Sequence, residues 1–222
     1  MRYYPVNLDI KNRQCLVVGG GDVGTRKVIT LLECSAFVTV VSPVVSSKLL
    51  NLAETGSLTL KKRYYTESDL CGMFLVICAT DNEMLNKQVS EDAGKLNMLC
   101  NVADRPEACN FILPAIVKRG DLTIAVSTSG NSPAFAKKIR KDLEKQYGDE
   151  YAQFLKLMGA IRKKLLSTKH EPEAHKHIFE ELINKNLVKM IRNCDVDKLN
   201  LVLFEVLGKG YDFYDLIKQE EL

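Results

Sequence analysis

Residues 15–27, CLVVGGGDVGTRK, pass from an apolar run through three consecutive glycines to a pair of cations. Within this stretch, Gly19, Gly21 and Gly24 satisfy the pattern G-x-G-x-x-G. Between a strand and a helix, the first glycine of this pattern permits a tight turn, the second admits a pyrophosphate and the third lets the helix pack closely. The helix N-terminus then offers N–H groups to the phosphates. The same turn also forms without a ligand, so its surroundings decide the interpretation.

Apolar, β-branched runs alternate with helical patterns around this turn. The candidate strands are residues 15–18, 37–41, 57–60, 73–79 and 98–102, and the candidate helices are residues 22–34, 46–55 and 82–95. Strands that are apolar throughout and separated by helices form a parallel sheet covered on both faces. The sequence therefore predicts an α/β fold with a Rossmann-like, doubly wound parallel sheet.

The pattern changes after residue 110. Residues 111–130 contain two extended runs about a KRGD turn, and a helix follows with Ser132 as its N-cap and Pro133 at its first position. One face of this helix is apolar and carries Phe135, Ile139, Leu143 and Tyr147. We interpret this stripe as an interface with a second subunit. Because only helical patterns follow, we predict a nucleotide-binding domain (1–113), a dimerisation segment (114–147) and a helical domain (148–222).

The composition excludes several classes of protein. With 46% hydrophobic and 27% charged residues, the chain is an ordinary globular sequence and not a disordered one. The net charge of +3 gives no support for nucleic-acid binding. No segment approaches the roughly 18 apolar residues of a membrane span, and the start of the chain resembles no secretory signal. The 7 cysteines form no Cys-x-x-Cys pair, so we expect a cytoplasmic protein without disulfides or a zinc site.

One element of the dinucleotide fingerprint is missing. The pattern places an acidic residue about 20 residues further on, where it binds the ribose hydroxyls. Here that position lies near Ser42, and no acid occurs between Glu33 and Glu54. NAD can still bind through hydroxyl and backbone contacts, and the choice between NAD and NADP stays open.

Polar residues follow the predicted strands, where ligands of such sheets bind. We interpret Asp81 as the N-cap of the next helix. Asp104 has no long helix to cap, although a turn role is an alternative for it. All 3 histidines lie in the C-terminal part, so Asp104 is the best-placed group for proton transfer in the nucleotide-binding domain. The histidine tract at 170–177 is interpreted as a solvated helix start and not as a metal site.

Four collinear stretches together resemble one family. CLVVGGGDVGTRK, ATDNEMLN, CNVADRPEACNF and LTIAVSTSGNSPAFAKKIRKDLE are similar to the precorrin-2 dehydrogenase and sirohydrochlorin ferrochelatase family, which includes the N-terminal half of siroheme synthase. The resemblance covers residues 1 to about 145. It implies oxidation of precorrin-2 with NAD, insertion of ferrous iron in many members, and a homodimer. A methyltransferase activity like that of the fused siroheme synthases is not expected.

The resemblance also implies roles for individual residues. It assigns the acid/base role to Asp104. It assigns cofactor contacts to Gly19, Gly21, Asp22, Val23, Ser42, Pro43, Val44 and Thr80. For the tetrapyrrole, an acidic substrate, it indicates Arg105, Ser127, Thr128, Ser129 and Lys137. Two alternatives stay open: a family member that only oxidises or only chelates, and a non-catalytic NAD-sensing module, which would not need Asp104.

Overall fold

Strand β1 (Gln14–Gly20) lies at the centre of a five-stranded parallel sheet. The computed structural model describes residues 2–103, 105–167 and 172–218, with the side chains of residues 172–174 left aside. The other strands are β2 (Phe37–Val45), β3 (Thr59–Lys61), β4 (Leu75–Cys78) and β5 (Leu99–Val102). Their order in the sheet is β3-β2-β1-β4-β5. Helices α1 (Asp22–Glu33), α2 (Ser47–Glu54) and α3 (Glu83–Lys95) connect them.

Both faces of this sheet are covered. Alternate residues of β1 belong to different cores: Leu16 and Val18 pack in one cluster, and Cys15 and Val17 in the other. All four side chains are at most 1% exposed. An apolar run without alternation is what a two-sided sheet requires, since each successive side chain points to the opposite face. The predicted Rossmann-like α/β fold is therefore confirmed.

The chain divides into two compact units, residues 1–113 and 114–222. The second unit begins with the antiparallel pair β6 (Ala115–Arg119) and β7 (Leu122–Val126), joined at Gly120 and Asp121. Helix α4 (Pro133–Gln146) follows, with Ser132 as N-cap, whose hydroxyl accepts the N–H of Phe135 at 3.3 Å. This start of α4 confirms the sequence prediction. The division into three domains stays a prediction.

Helices make up most of the remaining described part of the second unit. They are α5 (Glu150–Ser167), α6 (Pro172–Asn184), α7 (Leu187–Arg192), α8 (Val196–Leu207) and α9 (Phe213–Lys218). Their shared core is built on leucines such as Leu157, Leu182, Leu199 and Leu203, none of which is exposed. No helix among the described residues is long and apolar enough to cross a membrane.

Two local predictions were wrong. Asp81 is not the N-cap of α3; Asn82 is, and its side chain accepts the N–H of Leu85 at 3.0 Å. The helix begins at Glu83, so the N-cap is Asn82, the residue directly after the predicted Asp81. The histidine tract is not uniformly solvated either, because His175 is only 7% exposed whereas His177 faces solvent. His170 lies outside the described residues.

Candidate functional site

The glycine turn between β1 and α1 is built on very close backbone contacts. Gly19 has φ of +114°, and a Cβ at this position would lie 2.2 Å from the carbonyl oxygen of Ala79. A Cβ on Gly24 would lie 2.2 Å from the carbonyl oxygen of Gly19. Both glycines therefore serve the turn itself: one allows β1 to pass the end of β4, and the other allows α1 to start close to β1.

Gly21 has a different environment. It is the N-cap of α1, with extended backbone and no side-chain capping bond, and a Cβ built on it meets nothing within 4 Å. The first N–H groups of a helix have no partner within the helix. The open space at Gly21, beside Asp22 and Val23, thus gives an anion access to the N-terminus of α1. This is the arrangement that a dinucleotide pyrophosphate requires.

The end of β2 forms the neighbouring edge of the site. The backbone N–H of Ser46 donates to the carbonyl oxygen of Gly20 at 2.9 Å, and the Ser46 hydroxyl lies 2.9 Å from that of Thr25. Ser42 is buried and its hydroxyl donates to the Val44 carbonyl at 2.6 Å, so this hydrogen is not offered to a ligand. Pro43 and Val44 are exposed, and Val44 is 78% accessible.

Thr80 follows β4 at the same edge. Its hydroxyl donates to Oδ1 of Asn86 at 2.8 Å, and Nδ2 of Asn86 donates back to the Thr80 carbonyl at 2.8 Å. This reciprocal pair fixes the turn that leads into α3. A methyl carbon of Thr80 also comes within 3.0 Å of a Cβ built on Gly19. The structure thus brings Thr80 beside the glycine turn.

The loop after β5 carries the proposed acid/base. Asp104 lies outside the described residues. The adjacent Arg105 forms an ion pair with Glu83 at the start of α3. The hydroxyl of Ser90, on the same helix, donates to the carbonyl of Ala108 at 2.9 Å. Both ends of the loop are therefore attached to α3.

The remaining predicted residues belong to the second unit. Ser127 accepts the N–H of Ser129 at 3.1 Å, and Thr128 accepts the N–H of Ser132 at 3.2 Å. Ser129 has φ of +54°. These hydroxyls shape the turn before α4, and Lys137 is exposed on that helix. A capped turn of this kind explains the Ser/Thr-rich composition without a ligand.

Parallel strands end at one edge of their sheet, and the structure brings one group of predicted residues together there. This group comprises Gly19, Gly21, Asp22, Val23, Ser42, Pro43, Val44 and Thr80. The sequence interpretation missed three polar residues that support the same edge, namely Thr25, Ser46 and Asn86. Polar side chains within otherwise apolar helix faces were the available signal for Thr25 and Asn86. Among the described residues, no cluster of three or more histidine, cysteine or carboxylate side chains could hold a metal.

Comparison with known proteins adds family information. A family model described as putative NAD(P)-binding matches residues 6–115, and a model of the sirohaem biosynthesis protein central region matches residues 119–146. Siroheme synthase of Pseudoalteromonas translucida is 35% identical over 94% of this chain and 44% of its own length. Siroheme synthase of Citrobacter koseri is 36% identical over 96% of this chain and 47% of its own. The chain thus spans less than half the length of these relatives.

A solved structure extends the comparison. It is described as SirC, precorrin-2 dehydrogenase, and is 33% identical in sequence with a TM-score of 0.73. The match covers 82% of this chain and 89% of that one. In contrast to the siroheme synthases, the matched precorrin-2 dehydrogenase is covered over nearly its whole length.

Proposed function

The chain belongs to the precorrin-2 dehydrogenase family, and from this premise we propose that it oxidises precorrin-2 to sirohydrochlorin with NAD as the hydride acceptor. The observation that carries the proposal is the structural match, which covers 89% of a precorrin-2 dehydrogenase. In addition, the glycine turn of this chain is open at Gly21. A shared fold alone would not support an activity, because Rossmann-like sheets serve many functions. The 33% sequence identity to a precorrin-2 dehydrogenase supports this particular activity, which the fold alone does not.

The glycine turn fits an NAD cofactor, as the matching NAD(P)-binding family model indicates. Gly21, Asp22 and Val23 would hold the pyrophosphate at the N-terminus of α1, next to the close turn at Gly19. Pro43 and Val44 would face the adenosine, with Ser42 behind them, and Thr80 would lie near the cofactor. When bound, NAD accepts the hydride that leaves the macrocycle.

Asp104 is assigned the proton transfer. Oxidation of precorrin-2 releases one proton together with the hydride, and a group at the site must accept it. The histidines lie in the C-terminal part of the sequence, and Asp104 comes two residues after the end of β5. A carboxylate is one of the side chains that can accept a proton from a reacting group. The rest of the site holds and orients the reactants.

Basic and hydroxyl side chains are proposed to bind the substrate. Precorrin-2 carries many carboxylates, which arginine and lysine side chains attract and bind. Arg105 stands next to Asp104 in sequence, and its ion pair with Glu83 places its guanidinium at the start of α3. Lys137 and the hydroxyls of Ser127, Thr128 and Ser129 are proposed as further substrate contacts. Arg105 would then exchange one carboxylate partner for another on binding.

Ferrous iron insertion is the second proposed activity, with iron as a substrate. The observation that favours it is the similarity of almost the entire chain to siroheme synthases, whose name identifies the iron-containing product. Insertion requires removal of pyrrole protons, and the same Asp104 carboxylate would accept them. We also propose that the protein is a homodimer located in the cytoplasm.

The proposal is tested by incubating the purified protein anaerobically with enzymatically made precorrin-2 and NAD while recording absorption spectra. Formation of NADH and sirohydrochlorin is expected. Binding of NADH without turnover would contradict the proposed oxidation and favour a sensing module. Ferrous iron is then added, and the absorption spectrum of siroheme is expected to appear. A rate of siroheme formation equal to the rate without protein would contradict iron insertion.

A further inference from the structure

Val44 lies at the position where a dinucleotide site that selects NAD carries a carboxylate. It follows Gly24, the last glycine of the pattern, by about 20 residues, which is the spacing of the acid in the fingerprint. A Cβ built on Gly20 would lie 2.5 Å from the carbonyl oxygen of Val44, so the end of β2 lies directly against the glycine turn. The Val44 side chain is exposed. An apolar group thus occupies the place of the acid that binds the ribose hydroxyls.

No carboxylate of the same segment takes the place of the missing acid. The sequence contains no acid between Glu33 and Glu54, an interval that includes all of β2 and the first turn of α2. Asp22 lies at the start of α1, where the pyrophosphate is proposed to bind, and not at the end of β2. The hydroxyl of Ser42 donates to the carbonyl of Val44 at 2.6 Å, so it donates no hydrogen to the ribose.

Cations lie on the elements that flank the end of β2. Strand β3 runs parallel to β2, so both strands end at the same edge of the sheet, and the cations Lys61, Lys62 and Arg63 follow one another there. Lys61 and Arg63 share one carboxylate, that of Asp69. Lys62 is exposed and forms no ion pair within the described residues, and Lys48 is exposed in the first turn of α2. This side of the site therefore holds positive charge that Asp69 alone does not neutralise.

We propose that the cofactor site, with Val44 in place of a carboxylate, binds NADP as well as NAD. The inference rests on the proposed function, which assigns the dinucleotide to this edge of the sheet. NADP differs from NAD by a phosphate group on the 2′ oxygen of the adenosine ribose. A carboxylate at the end of β2 would accept a hydrogen bond from the 2′-hydroxyl of NAD and repel the phosphate of NADP. Val44 does neither.

The charge around Val44 acts in the same direction. Selectivity between two ligands is a difference of affinities, and it is commonly achieved by a group that repels the wrong ligand. The end of β2 has no such group. Cations on the neighbouring elements attract the ligand with the larger negative charge. The 2′-phosphate is therefore neither repelled by a carboxylate nor placed in a negative field.

The test measures dissociation constants for NADH and NADPH by nicotinamide fluorescence in the wild type, Val44→Asp and Val44→Asn. Binding requires neither precorrin-2 nor turnover. Val44→Asp supplies the missing carboxylate, and Val44→Asn is its matched control, because it has the same size and shape without the charge. Since Val44 is exposed, both variants are expected to fold, which urea unfolding checks.

In the wild type we expect the dissociation constant of NADPH to lie within about fivefold of that of NADH. In Val44→Asp the dissociation constant of NADPH should rise at least about thirtyfold, while that of NADH changes less than about threefold. Val44→Asn should keep the wild-type ratio of the two constants. Wild-type binding of NADPH more than about thirtyfold weaker than that of NADH would overturn the proposal. Equal ratios in the Asp and Asn variants would overturn the assignment to Val44.

Gly21→Ala shows whether both nucleotides occupy the same turn. We expect this variant to weaken NADH and NADPH alike, and NADPH should displace NADH competitively from the wild type. NADPH binding that Gly21→Ala leaves unchanged would place NADPH elsewhere and overturn the proposal.

Failure of this inference is distinguishable from failure of the proposed function. A protein that binds neither nucleotide overturns the assigned cofactor and both proposals with it. A protein that binds both nucleotides but forms no sirohydrochlorin from precorrin-2 overturns the proposed oxidation and supports the inferred selectivity. A protein that oxidises precorrin-2 with NAD but does not bind NADPH overturns the inferred selectivity alone.

Discussion

The carbonyl oxygen of Ala79 and the α-carbon of Gly19 are so close that a Cβ on Gly19 would lie 2.2 Å from that oxygen. Ala79 directly follows β4 and Gly19 is the penultimate residue of β1, so the contact ties the glycine turn to the neighbouring strand. The backbone N–H of Ala79 also donates to the carbonyl of Val18 at 2.8 Å. This backbone contact fixes the edge of the sheet at which the cofactor is proposed to bind.

Replacement of Gly19 is predicted to damage the fold and the cofactor site together. In Gly19→Ala, the positive φ alone costs about 1–3 kcal/mol, and the collision with Ala79 forces the strands apart in addition. We expect a lower free energy of unfolding in urea and no measurable NADH binding by fluorescence. A variant as stable as the wild type would contradict the close contact.

Replacement of Gly21 is predicted to separate binding from folding. A Cβ on Gly21 meets nothing within 4 Å. The free energy of unfolding of Gly21→Ala should therefore lie within about 1 kcal/mol of that of the wild type. The added methyl group would stand where the pyrophosphate approaches the backbone, and NADH affinity should fall at least about tenfold. Isothermal titration calorimetry measures the affinity. Unchanged affinity would exclude this face of the turn as the phosphate site.

Removal of the Asp104 carboxylate is predicted to stop proton transfer without affecting the cofactor. Asp104→Asn keeps the size of the side chain but cannot accept a proton, so kcat should fall by roughly 10²- to 10⁴-fold. NADH affinity should remain that of the wild type, since the glycine turn is unchanged. Single-turnover kinetics measure the effect, and a wild-type rate in this variant would refute the assignment.

The carboxylate of Asp69 is predicted to make stability depend on pH in the acid range. Its side chain is 1% exposed and is held by Arg63 at 2.6 Å and Lys61 at 3.0 Å. Hydrogen bonds from Arg63 lower the pKa of Asp69 well below its ordinary value. Because the folded pKa is the lower one, the stabilisation is present above the pKa of the unfolded chain, about 4, and is lost as pH falls further.

Asp69→Asn tests this dependence. At pH 7 the variant should lose on the order of 2 kcal/mol of unfolding free energy, since the two cations keep part of their side chains in water. The difference from the wild type should shrink progressively below about pH 4. Urea unfolding at several pH values measures it. A difference that stays constant down to pH 2 would show that Asp69 does not titrate in this range.

The proposed dimer is predicted to depend on Phe135. This side chain is 54% exposed on α4, whereas Ile139 and Leu143 on the same stripe are half-buried within the second unit. An aromatic residue at the centre of an interface contributes about 2 kcal/mol or more, so Phe135→Asp should weaken association at least about thirtyfold. Sedimentation equilibrium should then show monomers, while Lys141→Ala on another face stays dimeric. A dimeric Phe135→Asp would contradict this interface.

The sequence predicted the sheet well because its strands are buried on both faces. Leu16, Val18 and their neighbours form an apolar run that only a covered parallel strand needs, and Gly19, Gly21 and Gly24 punctuate it at the required spacing. The N-cap of α3 was harder to predict, because aspartate and asparagine are both favoured at this position. The choice between Asp81 and Asn82 depends on the exact residue at which the helix begins. Tertiary context settles such choices.

Contacts between segments distant along the chain were beyond the sequence analysis. Cys109 resembles any small core residue in a sequence, and its bonds to Val102 and Arg105 emerge only when the chain returns to the edge of β5. The burial of His175, which is 7% exposed, was likewise not evident from the sequence. Periodicity describes one element at a time and does not show what packs against it.

Oxidation of precorrin-2 with NAD fixes the ratio in which its two products form. The protein is mixed anaerobically with precorrin-2 and excess NAD, and NADH and sirohydrochlorin are quantified over the same time course. Since the oxidation removes one hydride and one proton, we expect one NADH for each sirohydrochlorin formed, at a rate proportional to protein concentration. Sirohydrochlorin formed without NADH, or neither product above the protein-free control, would contradict it.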